Sequence, residues 1–213
     1  MRGLIYKDVQ FFIRSIDKRL MLIAAAIIAF ILIKLGALGG LYATVMFAYT
    51  IGLLNMMCFD LDEKAGWKKY QLALPVSSFQ IVAAKYASVL CTLVLSLIGS
   101  FVFNGIASAI TSNFNIVIWG LSMAGAIAIP LIWTDIFLPL TYCFGFRTAQ
   151  SVGILAAIPT VYMINYFEDG PGLSSLPASI YSVLIIGCAV TIALFVLSFF
   201  VSVYGYAKNS TKD

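Results

Sequence analysis

The sequence predicts an all-α, polytopic membrane protein: six transmembrane helices, preceded by an N-terminal amphipathic helix lying in the membrane interface. Three observations carry this. The chain is 62% hydrophobic and 10% charged, with a mean hydropathy of +1.02, whereas soluble domains are about half apolar and a quarter charged. Its 213 residues suffice for five or six spans of about 20 residues with short connections. Its basic residues are also sorted: with the N-terminus in the cytoplasm, Lys34 alone among the 13 Lys and Arg falls outside. That bias orients the spans and places both termini on the cytoplasmic side of the plasma membrane.

Residues 1–19 read as the interfacial helix. Ile5, Val9, Phe12 and Ile16 share one face of a helical wheel, with Lys7, Arg14 and Lys18 opposite, a pattern suited to anionic head groups. The segment does not read as a signal peptide, because no small-residue cleavage motif follows the apolar run. The first span covers 20–33 and ends at Lys34 and the turn formed by Gly36, Gly39 and Gly40; the second covers 41–58. A polar segment, 59–80, separates it from the third span, 81–110. Ser77-Ser78-Phe79-Gln80 predicts an N-cap with Gln80 in the capping-box position, just after Pro75.

A short uncharged turn, 111–115, leads to the fourth span, 116–142, where Pro130 and Pro139 predict kinks or a broken helix. The fifth span is 150–166, and a Gly-Pro-Ser-rich outer loop precedes the sixth, 178–206. The whole chain, 1–213, reads as one membrane domain.

Histidine is absent, which removes Ser-His and Cys-His nucleophile pairs and His-ligated metal sites. Cys58, Cys91, Cys143 and Cys188 form no CxxC pair and read as small hydrophobes in apolar runs. No phosphate loop, GxGxxG, HExxH or GxSxG motif occurs. The sequence therefore predicts no enzyme activity, no metal and no cofactor of its own, and with so little polar surface no nucleic-acid partner. Membrane lipid is the partner that the composition implies.

Two places carry functional candidates. Asp135, between the two prolines, is the acidic residue inside a span. A charge at that depth is costly and marks function by default; the plainer alternative pairs it with Arg147 or a head-group cation near the interface. The second place is the polar segment. Trp67, Tyr70 and Leu74 recur at spacings of three and four, so a short helix would present them together. Its aromatics fit the head-group layer and equally a groove on a soluble partner.

The run Asp62-Glu63-Lys64-x-Gly66-Trp67-x-x-Tyr70-x-x-x-Leu74-Pro75-Val76-Ser77, with Ile81-Val82 and Lys85-Tyr86 after it, resembles the signature of small bacterial ABC type-2 permeases. Gly3–Asp8 (GLIYKD), Leu138-Pro139-Leu140 and Phe144-Gly145-Phe146 are similar to the same family at corresponding places; Thr141 and Cys143 depart from it. The resemblance implies the transmembrane subunit of an ATP-driven exporter, of the kind that moves phenol-soluble modulins or antimicrobial peptides. It implies that the loop between the second and third spans is a coupling helix, with Glu63, Gly66, Trp67, Tyr70, Leu74 and Pro75 as coupling residues. It implies as partners a separate ABC subunit that binds ATP and Mg, and a second permease subunit. Two other classes compete: a membrane scaffold or immunity protein that only binds peptides or lipids, and an ion-coupled secondary transporter using Asp135. The internal repeat expected of the latter is not visible.

Overall fold

The computed structural model describes residues 2–15, 18–67, 70–71, 76–152 and 179–210. Within them the fold is all-α. The helices are α1 (Arg2–Ser15), α2 (Lys18–Lys34), a 3-10 turn (Gly36–Leu38), α3 (Gly39–Lys64), α4 (Ser78–Thr111), α5 (Ile116–Phe144) and α6 (Ser179–Ser210). Residues 146–152 are helical as well. Most of the fifth span expected at 150–166 lies outside the described residues.

Among the described residues four helices, α3 to α6, are long and apolar enough to cross a membrane, while α2 supplies a shorter apolar stretch, Met21–Lys34. Their outward faces are hydrocarbon: Val94, Ile98 and Phe101 on α4 and Ile185, Leu197 and Phe200 on α6 are all exposed. In water such surfaces would drive association; in lipid they are the solvated surface.

Sequence explains the boundaries. The capping box expected at α4 is present: Gln80 N donates to Ser77 Oγ and Ser77 N to Gln80 Oε1, each at 3.3 Å. Asn115 caps α5 by accepting from Val117 N at 3.0 Å and Ile118 N at 3.4 Å, after Ser112 turns the chain at φ +49°. Gly145, at φ +89°, ends α5 with its N–H on Thr141 O. Of the two outcomes expected at Pro130 and Pro139, a kink or a break, the break does not occur. The helix runs through both, and the Thr134 and Thr141 hydroxyls bond back to Pro130 O at 2.6 Å and Phe137 O at 2.8 Å. These are back-bonds within the helix; the carbonyls that the prolines leave without a backbone donor are those of Ala126 and Asp135.

The helix that holds the second expected span, 41–58, begins at Gly39 and continues to Lys64. No helix breaker stands between Phe59 and Lys64, and Gly66, at φ +64°, is the first residue suited to leaving the helix. The acidic start of the polar segment is therefore helical, and it faces neighbours.

The helices pack as α5 against α6 and α3, and α4 against α3, α5 and α6, with α1 crossing α3 and α4 at one end. Tyr86, Val82, Leu138 and Tyr206 form the core between α4, α5 and α6. There the Tyr86 ring meets Phe195 and Phe199 edge-on, and its hydroxyl bonds with Ser198 at 2.7 Å and Ser202 at 2.9 Å. Toward the opposite end, Asn104 Nδ2 donates to Ser100 O at 2.8 Å and Ser122 Oγ to Asn104 Oδ1 at 3.1 Å, while Thr44 Oγ1 donates to Ser100 Oγ at 3.3 Å. This network joins α3, α4 and α5 where Gly40 comes so close that an added Cβ would stand 2.6 Å from Asn104 Oδ1. Small residues beside interhelical hydrogen bonds are how apolar helices associate in lipid.

Candidate functional site

At the α1 end, three helices each bring charge to one place. α1 carries Lys7 and Asp8, the extension of α3 carries Asp62, and the second turn of α4 carries Lys85. Lys85 Nζ lies 3.2 Å from Asp8 Oδ1 and 3.1 Å from Asp62 Oδ2; Lys7 Nζ lies 2.6 Å from Asp62 Oδ1 and 3.3 Å from Asp8 Oδ1. Ser88 Oγ adds a 3.3 Å hydrogen bond to Asp8 Oδ2. The four charges cancel and each touches both opposites. The four side chains are between 8% and 19% exposed, so mutual pairing is what makes their burial tolerable. Aromatic faces complete the shell: the Lys7 ammonium stands 4.2 Å from the centre of the Trp67 ring, and that of Lys85 4.2 Å from Phe59.

The cluster fastens the polar segment to the bundle. Trp67 follows the turn at Gly66, packs under Lys7, and stacks on Tyr70 with ring centres 5.2 Å apart and planes at 28°. Its Nε1 is buried and has no hydrogen-bond partner. Tyr70 points outward and is 60% exposed. A built Cβ at Gly66 meets nothing within 4 Å, so its left-handed backbone, and no lack of space, favours glycine there. Tyr206 of α6 reaches Gln71 at 3.5 Å. Between these groups lies an open cavity of about 310 Å³, walled by Lys7, Asp62 and Trp67 on one side and Tyr142, Phe146 and Tyr206 on the other.

The sequence-predicted residues distribute as follows. Gly66, Trp67 and Tyr70 adjoin the cluster. Glu63 lies in the last turn of α3, its side chain outside the described residues, as are Leu74 and Pro75. Trp67 and Tyr70 stack on one another, Trp67 half-buried under Lys7 and Tyr70 exposed. On α1, Phe12 is buried against Ile51 and Cys58, Ile5 and Val9 are half-buried, and Ile16 lies outside the described residues. Lys7, expected on the opposite, head-group side, faces the bundle instead, because Asp62 is there to receive it.

Asp135 sits in α5 with both carboxylate oxygens buried and without a partner. Among the described residues no ion pair joins it to Arg147, which is exposed, so that expected pairing is not formed. Lys7, Asp8, Asp62 and Lys85 were missed as a unit. One signal was present: Asp8 stands beside Val9 and between Ile5 and Phe12, and Lys85 lies in an apolar run, and a charge in an apolar stripe needs a partner. Among the described residues no group of three or more His, Cys, Asp or Glu could hold a metal ion.

The model of the ABC-2 family transporter protein covers residues 3–207. No curated protein and no solved structure is matched significantly. A match over nearly the whole chain, on a bundle of long apolar helices, shows that the chain belongs to the ABC-2 transporter family, as its multi-pass membrane permease component.

Proposed function

We propose that the chain is the permease subunit of a bacterial exporter that moves an amphipathic, peptide-like substrate outward. ATP and Mg are bound and hydrolysed on a separate ABC subunit, and two permeases pair with two such subunits. In this reading α1 lies in the interface, both termini are cytoplasmic, and the segment from Glu63 to Pro75 couples the ATPase to the bundle. The observation that carries the proposal is the division of labour at the aromatic pair: Trp67 is held by Lys7 and the charge cluster, while Tyr70, stacked on it, is left exposed. A rigidly backed aromatic at a charged end is a good anchor for a soluble partner. Movement imposed there has a direct route into α1, α3 and α4, since all three meet in the cluster. Family membership favours this over the scaffold and ion-coupled alternatives.

The test is co-purification of the ABC subunit with the permease. Tyr70→Ala should cut recovery of the ATPase or uncouple its hydrolysis from export, with the permease still monodisperse. Trp67→Ala should do the same and also lower permease stability. Full assembly and full export in both variants would refute the coupling role.

A further inference from the structure

A second cavity, of about 370 Å³, lies on the other side of the charge cluster, between α1, α3 and α4. It shares Asp8, Phe59 and Lys85 with the first cavity, so the cluster forms a wall common to both. Its lining differs in kind. Val9, Phe12, Cys58, Val89 and Leu95 make it a predominantly apolar groove. Two of the polar groups that reach it are engaged by neighbours: Asn55 Nδ2 donates to Thr92 Oγ1 at 3.0 Å, and Asp8 is held by Lys85 and Ser88. A space with so few polar groups to spare suits water poorly, since each water needs two to four partners. The rim is formed by Ile13, Cys91 and Leu95, all exposed, and the last two continue onto the apolar outer face of α4 with Val94 and Ile98. The groove therefore opens to the medium that surrounds a membrane-crossing helix, and that medium is hydrocarbon.

We propose that this groove is a site for one acyl chain of a phospholipid from the leaflet against which α1 lies. The volume falls in the ~300–1,000 Å³ range of small-ligand pockets. The chain fills the space under α1 and packs against Phe12 and Val89, so that α1 is seated on lipid as well as on protein. The site selects for hydrocarbon and is indifferent to head-group charge, because the wall at its polar end carries two cations and two carboxylates that cancel. The inference requires that α4 crosses the bilayer and is independent of the substrate and of the ATPase contact.

The experiment is photo-crosslinking of the full chain, with its ABC subunit, in nanodiscs. Phosphatidylethanolamine or phosphatidylglycerol bearing a diazirine on one acyl chain is the probe, and peptide mapping is the readout. Label should be enriched severalfold in the peptides holding Val9–Ile13 and Val89–Leu95 over the outward face of α6, equally for the two lipids. Cys91→Trp and, independently, Val9→Trp should fill the groove and abolish that enrichment without changing label on α6. Label no denser than on α6, or unchanged by both substitutions, would reduce the groove to bulk lipid contact and overturn the proposal. So would a requirement for the anionic lipid, which would put recognition at the head group. Labelling by a photoreactive amphipathic peptide, with none from either lipid, would assign the groove to another occupant.

Discussion

Lys85→Met separates the ion cluster from the packing around it. Methionine keeps an unbranched apolar stem beside Phe59 but removes the ammonium that lies 3.2 Å from Asp8 and 3.1 Å from Asp62. The cluster then holds one cation and two carboxylates. Removing one partner of a buried pair costs about 3–5 kcal/mol. Lys7 still reaches both carboxylates, at 2.6 and 3.3 Å, which places the expected loss at the low end, about 3 kcal/mol. Adding Asp8→Asn restores neutrality, and the pair of substitutions should show a coupling of about 1–3 kcal/mol, the double variant being more stable than the sum of the singles. The assay is denaturation of the detergent-solubilised permease, scored by the fraction that stays monodisperse and by Trp fluorescence, with Trp67 packed under Lys7 as a local reporter. A single variant within about 0.5 kcal/mol of the parent, as ordinary surface changes are, would refute the claim that the cluster holds α1 to the bundle. Strict additivity in the double variant would refute the pairing itself.

Two further outcomes follow from individual positions. Gly205→Ala would put a Cβ 2.5 Å from Cys143 Sγ and 3.3 Å from the Cys143 backbone nitrogen, so the α5–α6 contact should lose about 1–3 kcal/mol; Cys143→Ala in the same chain should return part of it, read from the same denaturation curves. Asp135→Asn keeps the shape of a buried side chain whose oxygens have no partner, so stability should be unchanged or higher while export, measured in inverted vesicles, falls severalfold; intact export would return Asp135 to a packing role.

Local features were readable in the sequence, and long-range ones were not. The Ser77–Gln80 capping box needs only four consecutive residues, and it is formed as expected. The apolar runs that became α3 to α6 needed only a window of hydropathy. The end of α3 lies past the expected span because composition changes at Phe59 whereas backbone preference changes only at Gly66. Charge alone does not stop a helix that finds partners for it. The ion pairs of Lys85 join residues 23 and 77 positions apart, and no periodicity encodes which apolar stripe will meet which. Trp67 and Tyr70 illustrate the limit most clearly. Their spacing of three is enough to bring the two rings together, but not to say that the Lys7 ammonium on a distant helix covers one of them.

The lengths of α2 and α4 have a consequence for the surrounding bilayer. At 1.5 Å per residue, the 17 residues of α2 span about 25 Å and the 34 of α4 about 51 Å. The two helices touch, and hydrocarbon is about 30 Å thick, so no flat membrane matches both. The long helix must tilt or project into the head-group layer. Were α2 to cross as the sequence predicts, it would thin the lipid beside it or let the terminal Arg19 and Lys34 snorkel outward, and acyl chain length would then be a variable acting on the protein from all sides.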